Sequence, residues 1–172
     1  MHSILYSTKA KRQQSMIRIM IKNLTHNQLV DIGAKWLYNQ GYKVALKQLV
    51  TCNLENPDVL GFAQNCSFVL EAKASRADFV ADKKKYFRRC PDAGMGLYRS
   101  FICPKDLIKP EELPENWGLI YVNDNLRPRQ IVKPKPFTRR DINAEMRMLV
   151  SLARRLVDNF EYKKYLYLPG SG

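Results

Sequence analysis

The chain has 172 residues, of which 45% are hydrophobic and 26% are charged, as is typical of a soluble chain with one core. Its 29 Lys and Arg residues outnumber 16 acidic residues, and the net charge of +13 favours a polyanionic partner such as DNA, with RNA not excluded. No apolar run can span a membrane and no signal peptide is recognised, which predicts a cytoplasmic location, in the nucleoid or in a phage-infected cell.

The first 22 residues carry five basic residues and no acidic residue. We predict a basic N-terminal arm over residues 1–22, in which MIRIMIK at 16–22 is a short strand or part of the arm. The earlier portion, TKAKRQQ, is expected either to be disordered or to grip phosphate when nucleic acid is present. Residues 23–172 are expected to form a single domain that includes a long C-terminal helix. The four cysteines lack C-x-x-C spacing, so we expect reduced thiols and no zinc site.

A helix is predicted to begin at Thr25, because Thr25 and Gln28 have the spacing of a capping box. Gly41 stands where a left-handed residue commonly ends a helix. YKVALKQLVTC follows as a strand. The apolar stripe of the helix consists of Leu29, Ile32, Trp36 and Leu37.

The stretch PDVLGFAQNCSFVLEAK, residues 57–73, predicts a β-hairpin with a turn at Gln64-Asn65. With that turn, Asp58 lies directly opposite Glu71, and Lys73 projects from the same face of the sheet as Glu71. Both strands are apolar on both faces, so we expect the hairpin to be buried on both sides. Charged groups at the end of a buried hairpin need ionic partners or a metal. The alternative is a surface hairpin whose ends are charged without functional consequence.

The pattern P-D followed by E-x-K resembles the PD-(D/E)XK, or restriction-endonuclease-like, nuclease superfamily. The segments EAKASRADFVADKKKYFRRCPDAGMGLYRSFICP and LPENWGLIYVN are similar to MmcB-type DNA repair proteins within it, and the resemblance covers residues 25–133. It implies that Asp58, Glu71 and the carbonyl of Ala72 hold Mg²⁺ or Mn²⁺, and that Lys73 is the catalytic lysine. Members often add an acid from the first helix, for which Asp31 is the candidate.

Gln48 and His26 are two further residues to consider for this site. Gln48, on the strand before the hairpin, is the alternative to Asp31 as a polar group aimed at the metal. Asp31 also has an ordinary interpretation, as a solvated helix residue paired with Lys35. His26 is expected to disfavour its protonated form, because it occupies the first turn of a helix.

After Lys73, Ser75 and Asp78 have capping-box spacing and predict a second helix, whose Phe79, Val80 and Phe87 face the core. That helix is densely basic, and its charged residues either line a solvated face or contact nucleic-acid phosphates. These residues are Arg76, Lys83, Lys84, Lys85, Arg88 and Arg89.

Three more strands are predicted at LYRSFICP, WGLIYVN and RPRQIVKP, with a short helical turn in the loop KDLIKPEELPEN. Thr138 and Asp141 have capping-box spacing and open the C-terminal helix. The element order indicates an α/β fold with a mixed β-sheet and flanking helices, restriction-endonuclease-like by resemblance.

The C-terminal helix, residues 138–165, carries an apolar stripe with spacings of three and four residues. Packing against the sheet of the same chain is the commoner use of such a stripe, so a monomer is favoured and a homodimer through this helix is the alternative. The stripe consists of Ile142, Met146, Leu149, Ala153, Leu156 and Phe160.

These features predict a metal-dependent DNA endonuclease or DNA repair nuclease that hydrolyses phosphodiester bonds. The first alternative is a nucleic-acid-binding module with the nuclease fold and no cleavage. The second is a basic scaffold that recruits other repair proteins. A cleavage test with Mg²⁺, Mn²⁺ and EDTA separates the first two.

Overall fold

The computed structural model describes residues 24–159, 167 and 169, in which a six-stranded mixed sheet carries helices on both faces. This confirms the predicted α/β class with flanking helices. The strands are β1 (Val44–Lys47), β2 (Val59–Phe62), β3 (Ser67–Ala72), β4 (Tyr98–Pro104), β5 (Gly118–Val122) and β6 (Pro128–Val132). The helices are α1 (His26–Asn39), α2 (Arg76–Asp82), α3 (Tyr86–Arg89) and α4 (Ile142–Asn159), and 3-10 turns lie at Pro91–Ala93 and Pro110–Glu112. The predicted segment 16–22 lies outside the described residues.

The strands follow one another across the sheet in chain order. β1, β2 and β3 are antiparallel, β3, β4 and β5 are parallel, and β6 returns antiparallel to β5. The carboxyl ends of the three parallel strands therefore meet at one edge of the sheet. The amide of Lys73 donates to the carbonyl of Ile102 at 2.9 Å and extends the β3–β4 pairing to that edge.

The hairpin of β2 and β3 has the predicted register. Val59 pairs with Leu70 and Gly61 pairs with Phe68, so Asp58 is the residue across from Glu71. All six residues of β3 are buried, which confirms that both of its faces are covered. The reason is that α1 packs on one face and α4 with α2 on the other.

The first helix begins and ends as predicted. The Thr25 hydroxyl accepts from the amide of Gln28, and the side-chain oxygen of Gln28 accepts from the amide of Thr25, which completes the capping box. Gly41 has φ of +99°, the left-handed conformation that glycine adopts without a Cβ penalty. The buried side of α1 packs against Leu70 and Ile102 on the sheet.

The predicted basic helix is two helices. α2 ends at Asp82, and Lys85 has extended backbone angles (φ −61°, ψ 142°) before the four-residue α3 begins. The break lets Arg88, six residues after Asp82, reach the carboxylate of Asp82, which Lys85 contacts from the i+3 position. Ser75 caps α2 and Phe79 is buried as predicted, but Val80 is exposed, so its placement in the core was wrong.

The C-terminal helix also differs from its prediction. It begins at Ile142, and Asp141 is the residue that caps it, since its side chain accepts from the amide of Ala144 at 2.8 Å. Thr138 is exposed and caps nothing. The predicted capping residue, Thr138, was therefore three residues early.

The heptad-spaced stripe of α4 does not pack against the sheet. Met146 is 56% exposed, whereas Met148 is 1% exposed and packs with Ala144 and Leu152 against β2 and β3. The rotation of the helix is fixed by the buried Glu145, which accepts from the amide of Gly96, from Ser67 Oγ and from Arg140 Nε. Intramolecular packing through the predicted stripe was wrong, and Phe160 lies outside the described residues.

Candidate active site

Glu71 and Lys73 occupy the carboxyl end of β3 and point to the same side of the sheet, because alternate residues of a strand share a face. Their side chains are 2% and 3% exposed. The ammonium of Lys73 donates to Glu71 Oε2 at 3.2 Å. Two of the three predicted catalytic residues are therefore in direct contact and withdrawn from solvent.

Asp82, at the end of α2, is a member of the site that sequence reasoning missed. Its Oδ1 is 3.0 Å from both Lys73 Nζ and Lys85 Nζ, and its Oδ2 accepts from Arg88 Nε at 2.5 Å. Burial raises the pKa of Asp82, but the charges of Arg88, Lys73 and Lys85 outweigh it and lower that pKa to about 2. The carboxylate is therefore ionised at neutral pH. The sequence feature that could have indicated Asp82 is its place on the helix that directly follows the E-x-K segment.

Glu71 is surrounded by three cations. Its Oε2 lies 3.2 Å from Lys73 Nζ, 3.1 Å from Lys85 Nζ and 3.5 Å from Arg88 Nη2. Burial lowers the pKa of Lys85, but the carboxylates of Glu71 and Asp82 more than compensate and raise it overall. We call the group of three acids and three bases at this edge the charge cluster. It consists of Glu55, Glu71, Asp82, Lys73, Lys85 and Arg88.

Arg88 contacts all three acids of the charge cluster. Its guanidinium lies 4.3 Å from the ring centre of Trp117, and its Nη1 is 3.6 Å from Glu55 Oε1. Neither of those two atoms has a hydrogen-bond partner among the described residues, although Glu55 Oε2 accepts from the amide of Met95 at 2.5 Å. Burial raises the pKa of Glu55 above its ordinary value. Burial therefore works against the charged form of Glu55.

Asp58 approaches the same strand from β2. Its Oδ2 accepts from the amide of Ala72 at 2.8 Å, and its Oδ1 lies 3.1 Å from His26 Nε2. The hydrogen bond to Asp58 raises the pKa of His26 above its ordinary value. The expectation that His26 disfavours its protonated form was therefore wrong, since a carboxylate in contact outweighs the partial charge of a helix terminus.

The two additional candidates have other partners. Asp31 is exposed and pairs with Lys47 Nζ of β1 at 2.8 Å, and not with Lys35. Gln48 donates its side-chain amide to Asn27 at 3.1 Å, although its backbone amide donates to the carbonyl of Asp58. The two side chains predicted to complete the site, Asp31 and Gln48, are thus paired with Lys47 and Asn27 instead.

The six basic residues predicted to bind nucleic acid separate into two groups. Arg76 forms a two-bond pair with Glu112 at 2.6 and 2.7 Å, while Lys85 and Arg88 belong to the charge cluster. The remaining three are exposed and have no ion pair within the described part of the chain. These are Lys83, Lys84 and Arg89.

A divalent cation fits the donor chemistry of this edge but not its present charge arrangement. Mg²⁺ and Mn²⁺ prefer carboxylate and carbonyl oxygens, which Asp58, Glu71 and Ala72 offer. Glu71 Oε2 is, however, already within 3.5 Å of three cationic nitrogens. Over residues 24–159, 167 and 169, no group of three or more His, Cys, Asp and Glu side chains is arranged to hold a metal. A metal therefore does not fit beside Glu71 while all three cations remain there.

Comparisons with known proteins show the fold alone. No family model matches the chain, and no curated protein matches it. A solved structure, the SPO1766 protein of unknown function from Silicibacter pomeroyi, superposes with a TM-score of 0.58 at 22% sequence identity. The match covers 78% of this chain and 90% of that chain. No helix in the described part of the chain is long and apolar enough to cross a membrane.

Proposed function

We propose that the protein is a metal-dependent nuclease that hydrolyses phosphodiester bonds in DNA, with a restriction-endonuclease-like fold. Asp58, Glu71 and Lys73 are its catalytic residues. The observation that carries this proposal is the hydrogen bond from the amide of Ala72 to Asp58, which brings the carboxylate of one strand to the E-x-K segment of the next. Mg²⁺ or Mn²⁺ is the proposed cofactor. Asp58, Glu71 and the carbonyl of Ala72 would hold it after the cations beside Glu71 rearrange, and it would supply charge neutralisation for the phosphoryl group and an acidified water.

The chain's own residues support this chemistry by fixing charge before the substrate arrives. Lys73 is held between Glu71 and Asp82 at 3.2 and 3.0 Å, so the position of its ammonium is fixed. Asp58 is oriented by the amide of Ala72 and by His26. His26, whose pKa is raised, can hold a proton at the rim of this site.

A second candidate function is a nucleic-acid-binding module with this fold and no cleavage. The observation that favours it is the neutralisation of Glu71 by Lys73, Lys85 and Arg88, an arrangement that also suits a purely structural ion network. Both candidates bind nucleic acid through the net charge of +13. They differ in that only the nuclease cleaves the DNA that it binds.

The deciding experiment incubates the protein with supercoiled plasmid and branched DNA in the presence of Mg²⁺, Mn²⁺ or EDTA, and measures binding in the same samples. A nuclease nicks DNA with either metal and not with EDTA. Asp58→Asn should abolish nicking, while Asp31→Asn should leave it unchanged because Asp31 pairs with Lys47. DNA binding without nicking under every condition would select the binding module.

A further inference from the structure

An open cavity of about 270 Å³ lies on the α1 face of the sheet, at the amino ends of β3 and β4. Phe68, the second residue of β3, lines it beside its strand partner Tyr98, the first residue of β4. Glu71 stands three residues further along β3, and therefore on the opposite face of the sheet. The cavity is thus separate from the candidate active site.

Four aromatic rings line this cavity. Phe68 is 5% exposed and forms the floor. The rings of Trp36 and Tyr42 lie 5.9 and 5.5 Å from it, at interplanar angles of 78° and 82°, and the ring of Tyr98 is tilted by 36° at 6.0 Å. The last three are half-buried, so each keeps part of its ring in contact with solvent. Partly exposed aromatic faces of this kind are the surfaces on which planar rings stack.

The polar part of the lining consists of exposed side chains, those of Gln40, Gln130 and Lys133. None of the three makes a side-chain hydrogen bond or an ion pair within the described part of the chain. A glutamine amide both donates and accepts, as the edge of a nucleobase does, and a lysine ammonium binds phosphate. Lys133 and the net charge of +13 disfavour a cationic ligand. The lining therefore fits a planar ring that has hydrogen-bonding edges and carries a phosphate.

The size of the cavity limits the ligand further. Sites for drug-sized ligands measure roughly 300–1,000 Å³, so a cavity of about 270 Å³ suits one ring system. A base inside a duplex is stacked on both sides and cannot offer its face to an aromatic side chain. The base that enters is consequently an unpaired one.

We propose that this cavity binds one unpaired nucleobase on its aromatic lining, with Lys133 on the attached phosphate. The base belongs either to a free nucleotide or to a single-stranded stretch of nucleic acid. The site shares no residue with the charge cluster or with Asp58, so it goes beyond the proposed nuclease function and is tested without cleavage.

The test measures binding of fluorescein-labelled oligothymidylate to the full chain by fluorescence anisotropy in EDTA, beside its duplex with oligodeoxyadenylate. Trp36→Leu should weaken the single-strand affinity at least about fivefold, the effect of losing one stacked base, and leave the duplex affinity unchanged. Tyr38→Leu is the matched control, because Tyr38 is half-buried on the same helix and its ring contacts Tyr167 instead of the cavity. Its affinity should equal that of the wild type.

Lys133→Met provides a second test at an exposed residue, where the fold is not at risk. It should weaken single-strand binding and flatten the slope of log affinity against log salt by about 0.7, the contribution of one phosphate contact. Thymidine monophosphate, added as competitor, separates the two sources of the base. Displacement of the oligothymidylate at an equal concentration of nucleotides indicates a free nucleotide, and failure to displace it indicates a strand.

Three results overturn the inference. The first is wild-type affinity for oligothymidylate in both folded Trp36→Leu and Lys133→Met. The second is an equal loss in Tyr38→Leu, which would indicate a general effect on α1. The third is an equal loss of duplex affinity in Trp36→Leu. Absence of DNA nicking would refute the nuclease function and leave this inference standing on the binding data.

Discussion

Replacement of Arg88 by Met tests whether the charge cluster holds the active-site edge together. The Arg88 side chain is 4% exposed and contacts Asp82, Glu71 and Glu55 at 2.5, 3.5 and 3.6 Å. Methionine fills much of the same volume, but it leaves the three buried carboxylates with one positive charge fewer beside them. Removal of one partner from a buried ion pair costs about 3–5 kcal/mol. Because Lys73 and Lys85 still contact Asp82, we expect the lower end of that range, about 3 kcal/mol.

Urea denaturation followed by circular dichroism measures this loss. With a slope of about 2 kcal/mol per molar urea, the midpoint should fall by about 1.5 M. Arg89→Met is the matched control, because Arg89 is the exposed neighbour, and its effect should lie within about 0.5 kcal/mol of zero. A loss below about 1 kcal/mol in Arg88→Met would show that the cluster contributes little to stability and refute this reasoning.

Three other predictions use the same structure. The folded-state pKa of Asp82 is about 2 and its unfolded value is about 4, so its stabilising contribution is complete above about pH 4 and is lost as the pH falls towards 2. Asp82→Asn should lower the urea midpoint at pH 7 and flatten its pH dependence in that window, and unchanged acid dependence would contradict the assignment. Met148→Ala should cost about 2–5 kcal/mol and Met146→Ala less than about 0.5 kcal/mol in thermal or urea unfolding, whereas equal losses would contradict the observed rotation of α4. Replacing Lys83 and Lys84 with alanine should reduce the slope of log affinity for duplex DNA against log salt by about 2, and an unchanged slope would move the DNA surface elsewhere.

Local patterns predicted the parts of the fold whose causes are local. The capping box of Thr25 and Gln28, the end of α1 at Gly41 and the hairpin register each depend on residues within a few positions of one another. The register then determined that Asp58 lies opposite Glu71. These elements were predictable because backbone hydrogen bonding and strand alternation leave few alternatives.

The parts that could not be predicted depend on contacts across the chain. The rotation of α4 is set by Glu145, whose partners include Ser67 on β3, 78 residues earlier in the sequence. A heptad stripe carries no information about that distant hydroxyl. In the same way, Lys85 and Arg88, which follow the end of α2, contact Glu71 on β3, and only the assembled sheet brings these residues together.

The most direct test of the proposed function is the nicking of supercoiled plasmid by the wild type, Glu71→Gln and Glu115→Gln in Mg²⁺, with EDTA as the blank. Glu115 is an exposed acid of the loop before β5, so its variant controls for the loss of one carboxylate. The account predicts metal-dependent nicking by the wild type and by Glu115→Gln, and none by Glu71→Gln with native circular dichroism. Nicking by folded Glu71→Gln at the wild-type rate would contradict it.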